Sequence, residues 1–347
     1  MIEYKKSFAS DNNTMVHPKI MEALQSANVG HVVAYGDDSY TESAIKRFKE
    51  IFGEDIEVFF VFNGTGANVT GLAAMTMPHQ GIICAESAHI QVDECGAAER
   101  FIGCRLIPVE TADGKLRPED IEPLLAVRGG QHHTQPGVVS ITQSTEMGTV
   151  YSIDELKTLV DYAHSRNLTV HVDGARIANA AAYLNVDLKS ITADAGIDVL
   201  SFGGTKNGLM FGEAVVFFNR TLSENYKYIR KQGMQLASKM RYIAVQFEAL
   251  LTDDLWLRNA QKANAMARLL AKEVEGIPEI AITQPVQSNG VFVSMPKDAA
   301  ERLLENYFFY PWNEEKGEYR WMTSFDTDEE DVRQFAETVR KACLRQA

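Results

Sequence analysis

The chain reads as an α/β protein: a mainly parallel sheet of seven strands with helices on both faces, followed by a smaller C-terminal α+β domain. Three observations carry that expectation. Between residues 57 and 218, seven short apolar runs alternate with helical or turn-rich stretches, the rhythm that builds a helix-covered parallel sheet. After about residue 250 that rhythm gives way to a long Ala- and Leu-rich helical stretch, a short β run over 290–295 and a last helix. Finally, 347 residues with 45% hydrophobic content exceed one ordinary core. We therefore expect an N-terminal arm over 1–20, a large domain over 21–250 and a small domain over 251–347.

Within the arm, the polar cluster from Ser10 to Asn13 breaks the chain before a helix bearing Ile20, Leu24 and Ala27. Tyr35-Gly36-Asp37-Asp38 predicts a tight turn. Thr41 is then expected to cap a helix with Ile45, Phe48 and Phe52 on its apolar face, ended by Gly53. The seven strands are expected over 58–62, 82–85, 105–109, 138–142, 169–172, 199–202 and 214–218, with the last members free to run antiparallel. Ser152 and Glu155 form a capping box opening a helix with Leu156, Leu159, Val160 and Ala163 on one face.

Composition narrows the function classes. A net charge of −13 disfavours nucleic acid and anionic membrane as partners. Residues 1–6 show no apolar leader core and no run of about 18 apolar residues follows, so a cytoplasmic protein is expected. Cys84, Cys95, Cys104 and Cys343 show no C-x-x-C spacing and are expected to be reduced and structural, Cys95 included as a small buried residue. His132 and His133 read as loop residues, and no metal is expected.

The chemistry concentrates at the strand ends. Lys206 sits in Gly203-Gly204-Thr205-Lys206-Asn207-Gly208, directly after a strand-like run. An isolated Gly-x-Lys is usually a surface turn, but 33 residues earlier (206 minus 173) the run from Thr169 delivers Asp173 at the end of another strand. A carboxylate there can pair with a pyridine nitrogen while the lysine supplies a covalent link, the order a pyridoxal phosphate enzyme needs. Gly64, Thr65 and Gly66 follow the first strand and open a helix, a phosphate cradle of converging N–H groups. In the next loop His89 is placed to stack on a cofactor ring, and Glu94 to orient that ring or handle protons.

These residues together resemble the low-specificity L-threonine aldolases, fold-type I pyridoxal phosphate enzymes related to the aromatic β-eliminating lyases. The likeness runs from Ser10-Asp11 through Tyr35-Gly36-Asp37-Asp38, Phe62-Asn63-Gly64-Thr65, His89 with Asp93-Glu94-Cys95-Gly96, and Asp173-Gly174-Ala175-Arg176, to Lys206-Asn207-Gly208 and Tyr319-Arg320. It implies the fold-type I transferase-like fold and retro-aldol cleavage of L-threonine or L-allo-threonine, and of relatives such as phenylserine, to glycine and an aldehyde. By the same resemblance Lys206 carries pyridoxal 5′-phosphate as a Schiff base, Asp173 pairs with the pyridine nitrogen and His89 stacks on the ring. Gly64, Thr65 and Gly66 hold the phosphate, and Ser10, Arg176 and Arg320 bind the substrate carboxylate. Arg241, in the segment from Gln235, would reach a neighbouring subunit's phosphate, implying at least a homodimer and commonly a homotetramer. One position departs: where many family members carry a histidine after the fourth strand, this chain has Thr145. That leaves His89, Glu94 or a water as the base for the β-hydroxyl. Tyr35 and Met147 are further candidates for shaping the side-chain pocket. The other readings are a β-elimination or transamination enzyme built on the same Lys206 and Asp173, and a non-catalytic phosphate-binding α/β module.

Overall fold

A computed structural model describes residues 6–344; the first five residues of the arm, where the leader reading falls, lie outside it. All seven expected strands of the large sheet are present: β1 (Glu57–Val61), β2 (Gln80–Ala85), β3 (Arg105–Val109), β4 (Gln135–Thr142), β5 (Thr169–Gly174), β6 (Val199–Gly203) and β7 (Glu213–Phe217). Their order is β1-β7-β6-β5-β4-β2-β3. Only β7 runs antiparallel to its neighbours, so the other six strands send their carboxyl ends to one edge. In such a sheet that edge is where ligands bind.

Successive strand residues feed two cores. Val138 and Val199 point into one, with Val215 and Phe217, while Val139, Val172, Leu200 and Phe202 point into the other. Burial on both faces explains the near-continuous apolar runs of β6 and β7, whereas β5 alternates because its buried His171 and Asp173 are polar.

Helices α1 (Pro18–Ser26) and α2 (Ser39–Phe52) cover one face. Asp38, not Thr41, caps α2: the Asp38 carboxylate accepts the Thr41 N–H at 3.0 Å and the Thr41 hydroxyl at 3.0 Å. The chain enters the helix from a turn with Tyr35 at φ 67° and Gly36 at φ 98°, which brings Asp38 to the cap and carries Thr41 into the first turn. Helix α3 (Gly64–Met75) crosses the opposite face, where a Cβ on Gly71 would already stand 3.5 Å from Val215 and 3.6 Å from Val199. Because it lies so close, α3 carries side chains from β1 at the sheet edge as far as β5.

The helix Leu255–Val274 spans two cores, with Leu255, Trp256 and Ala260 in the large one and Ala267, Leu270 and Val274 in the small one. The small core also contains Phe8 of the arm and backs an antiparallel sheet of β8 (Ala281–Ile282), β9 (Gly290–Ser294), β10 (Tyr310–Asn313) and β11 (Glu318–Met322), ordered β10-β11-β9-β8. Among the described residues, no helix is long and apolar enough to cross a membrane and no His/Cys/Asp/Glu group is arranged to hold a metal.

Candidate active site

Strands β5 and β6 bring Asp173 and Lys206 to the same edge. Their ends approach so closely that a Cβ on Gly203 would lie 2.4 Å from the Ala175 carbonyl oxygen, so only glycine fits there. One tight turn later, Thr205–Asn207, Lys206 is presented, and Gly208 at φ 106° ends the turn. The Lys206 amine forms no hydrogen bond among the described residues. Burial, with the Arg176 guanidinium nearby, holds its pKa below the ordinary value against the opposing fields of Asp11, Asp173 and Glu213. A lysine with a lowered pKa is the nucleophilic kind. Below the turn, Glu213 accepts the Gly204 N–H at 2.6 Å, and burial lifts its carboxyl to about 7.

Asp173 is fixed from two sides. Its Oδ1 accepts the Ala175 N–H at 3.0 Å and its Oδ2 accepts Asn68 Nδ2–H from α3 at 2.8 Å. The same Asn68 nitrogen donates to Glu94 Oε1 at 2.9 Å, and His89 Nδ1 donates to that oxygen at 2.9 Å. The Glu94 side chain has no exposed surface, so it meets the site only through the His89 ring and Asn68. Its hydrogen bond raises the His89 pKa above the ordinary value against desolvation, helped by Asp173. Glu146 Oε1 accepts the His89 backbone N–H at 2.8 Å and the Thr142 hydroxyl at 2.7 Å, and burial raises the Glu146 carboxyl. Behind Asp173, His171 lies between the Ser140 and Ser201 hydroxyls at 2.9 and 3.0 Å; burial lowers its pKa to about 4, so it is neutral.

The cradle forms where β1 turns into α3. Asn63 caps the helix by accepting the Gly66 N–H at 2.7 Å, which leaves the Gly64 and Thr65 amides without a partner among the described residues. Gly66 contributes its missing side chain instead: a Cβ there would lie 2.3 Å from the Gln235 carboxamide, whose Oε1 accepts the Phe62 N–H at 3.0 Å. Two free amides at the positive end of a twelve-residue helix suit a phosphate.

The arm closes the third side. Ser10 caps the turn Asp11–Asn13 by accepting the Asn12 N–H, and the next residue, Asp11, takes Arg176 in a fork of 2.7 and 2.8 Å. Burial pushes the Asp11 carboxyl up, but Arg176, Lys206 and Asn289 outweigh it and hold it at about 2. Arg320 differs from Arg176 in having no carboxylate. Its guanidinium rests over the Trp312 ring at 5.1 Å, its Nε is inaccessible and unpaired, and burial together with Arg176 lowers its pKa to about 10. A desolvated guanidinium without an anion is a seat for one. Arg241 is not brought to this site; it donates to the Val29 carbonyl and to Tyr242 at the surface.

Residues 7–298 match the family model described as beta-eliminating lyase. Over 342 residues the chain is 45% identical to the low-specificity L-threonine aldolase of Pseudomonas aeruginosa, spanning 98% of this chain and 99% of that one. The chain belongs to the threonine aldolase family of beta-eliminating lyases. The threonine aldolase of Leishmania major superposes with a TM-score of 0.92 at 30% identity, covering 97% of this chain and 99% of that one. Cystalysin from Treponema denticola, which contains a pyridoxal 5′-phosphate cofactor, shares the fold at a TM-score of 0.72 and 14% identity, over 97% of this chain and 91% of that one.

The Thr145 hydroxyl is spent on Thr149 Oγ1 in its own loop and on the Asp113 carbonyl 32 residues earlier in the chain. Glu146, beside it, is the residue that reaches His89. Met147 turns to a separate cleft of about 660 Å³ with Glu110, Thr283 and Glu318, and Tyr35 is half exposed on its turn. Cys95 is exposed, contrary to the buried role expected of it: it sits at φ 52° just after Glu94, whose side chain takes the inward direction. Cys84, Cys104 and Cys343 are buried, and among the described residues all four cysteines are free. Asn68, Asp11, Glu146 and Glu213 were not singled out in the sequence. Asp11 stands within the quoted Ser10-Asp11 pair and Asn68 two residues past the Gly64-Thr65-Gly66 cradle, and the signal available was a polar residue set among apolar ones.

Proposed function

We propose that this threonine aldolase family member cleaves L-threonine, L-allo-threonine and related β-hydroxy-α-amino acids such as phenylserine to glycine and an aldehyde, using pyridoxal 5′-phosphate held on Lys206. The observation that carries the reading is Arg320, a buried guanidinium without an anionic partner, set in the same field as Arg176 and Asp11, which also act on Lys206. The residues present fit the cofactor: Gly64 and Thr65 offer unpaired amides, Lys206 an unpaired amine, and Asp173 an anchored carboxylate. When bound, the cofactor supplies an electron sink for the charge left on Cα.

The chain's own residues do the rest. Asp173, held by Asn68 and Ala175, keeps the pyridine nitrogen protonated. Arg320, with Arg176 and Ser10, fixes the substrate carboxylate, which selects the Cα bond that reacts. Glu94 accepts the hydrogen bond from His89 Nδ1–H and so leaves Nε2 as the acceptor for the β-hydroxyl proton, making His89 the base and Glu94 the residue that acts through it.

A cytoplasmic homotetramer, built at least on a dimer, is the form proposed. An apolar groove of about 810 Å³, lined by Met21, Leu24, Phe62, Phe211 and Ile243, opens beside the phosphate loop and supports a second copy there, with Arg241 reaching that copy's phosphate. The test of the site is reduction of the yellow protein with borohydride followed by peptide mass analysis. Cofactor mass on the Lys206 peptide, and loss of turnover in Lys206→Ala, are expected; undiminished multiple turnover by that variant sinks the assignment.

A further inference from the structure

Glu94 and Asp173 come from segments far apart in the chain, yet both point an oxygen at one nitrogen. Asn68 Nδ2 stands 2.9 Å from Glu94 Oε1 and 2.8 Å from Asp173 Oδ2, and its two hydrogens serve one carboxylate each. With acceptors on both sides, the amide orientation is determined, because the opposite flip would set its oxygen against two carboxylates. Asn68 is 1% exposed, and its own Oδ1 is buried with no partner. Glu94 Oε2 is likewise buried and unpaired. Such unpaired atoms are costly, and a scaffold residue would ordinarily be placed to satisfy them. Here the satisfied atom is the one that faces the two functional carboxylates.

We propose that Asn68 is a positioning residue that couples the carboxylate serving the pyridine nitrogen to the carboxylate serving His89, so that the orientation and charge of each depend on the other. The chain of contacts is continuous from the His89 ring through Glu94 Oε1 and Asn68 Nδ2 to Asp173 Oδ2. A neutral double donor lets two carboxylates share a buried space without a cation between them. The other charged or titratable groups acting on this network are Lys206, which acts on His89 and Asp173, Glu146, which accepts the His89 backbone N–H and feels Asp173, and Arg176, His171 and Glu213, each of which interacts with Asp173. Helix α3 makes the bridge possible: the residue that caps it, Asn63, fixes the phosphate end, and Asn68 lies five residues further in, under the sheet's catalytic edge. Phosphate, pyridine nitrogen and ring are thereby registered to one rigid element.

The proposal rests on the cofactor reading above, and the experiment separates the two. Asn68→Leu removes both donors at similar volume, and Asn68→Asp replaces the double donor with a third carboxylate of the same shape. Each is compared with the wild-type protein for pyridoxal phosphate affinity by titration of the cofactor-free form, for the pH dependence of the visible absorption band, and for kcat and KM. Losing one charge-assisted hydrogen bond corresponds to roughly 10- to 100-fold in an equilibrium constant. We expect kcat to fall by about that factor with KM for the amino acid nearly unchanged, and the band to titrate at a different pH. In Asn68→Asp the acid limb of activity should move to higher pH, because added negative charge raises the proton affinity of Asp173. Folded variants with wild-type kcat, affinity and optical titration overturn the proposal, as does failure of both to fold, which assigns Asn68 to the scaffold. A wild-type protein that binds no pyridoxal phosphate refutes the cofactor reading instead.

Discussion

Replacing Arg320 with methionine sets substrate binding against stability. The guanidinium has no carboxylate, and its burial, with the field of Arg176 second, brings its pKa from the ordinary arginine range down to about 10. A gap of about 2.5, at roughly 1.4 kcal/mol each, corresponds to about 3.5 kcal/mol of unfavourable charge in the folded state. Partial exposure and the packing lost against Trp312 reduce the recoverable part to about 1–3 kcal/mol. The cost is fully present below pH 10 and fades as the pH rises above it, so it acts across the neutral range. Arg320→Met should therefore raise the urea midpoint of the cofactor-free protein at pH 7. It should also raise KM for L-threonine by roughly 10- to 100-fold, the worth of a forked guanidinium–carboxylate contact. A protein trading stability for a binding charge shows both effects. A variant that is less stable while its KM is unchanged would refute the reasoning, because it would make Arg320 a structural residue.

Other consequences are equally direct. The folded protein holds a proton on Glu213 up to about pH 7 that the unfolded chain releases near 4.5, so this group's contribution is complete below 4.5 and is lost as the pH rises through 7. Urea stability of the wild type should thus fall between pH 5 and pH 8 by up to about 3 kcal/mol more than that of Glu213→Gln; parallel curves would contradict it. Gly203→Ala drives a Cβ into the Ala175 backbone, with contacts of 2.4 to 2.7 Å that cannot yield. It should cost about 3 kcal/mol or more and weaken cofactor binding. Gly66→Ala meets only the movable end of Gln235 and should cost less, so equal urea midpoints for the two would argue against this account of the strand ends.

The large sheet was legible because most of its strands, buried on both faces, are written as short apolar runs, and Asp173 ends β5 while Lys206 follows β6 by one turn. Lys206 and Asp173 were readable as a pair for the same reason. The small sheet was harder: β10 and β11 are short, and Arg320 lies in the middle of β11, so no apolar alternation marks them. The cap of α2 was misplaced because Asp38 and Thr41 both have capping side chains, and a left-handed turn at Tyr35 and Gly36 decides between them. The supporting polar residues were illegible for a different reason. Asn68 meets Glu94 26 residues away, Glu146 meets His89 57 residues away, and Asp11 meets Arg176 165 residues away. Hydrophobic periodicity reports which face of an element is buried; it does not report which buried polar atoms meet.

The central claim is tested most directly by supplying the purified protein with pyridoxal phosphate and L-threonine or L-allo-threonine and measuring acetaldehyde and glycine together. Equal release of both, abolished in Lys206→Ala, is the predicted result, and the ratio of the two rates gives the preference at the β-carbon. Pyruvate from serine with no acetaldehyde from either threonine isomer would contradict it and assign the same Lys206 and Asp173 to β-elimination.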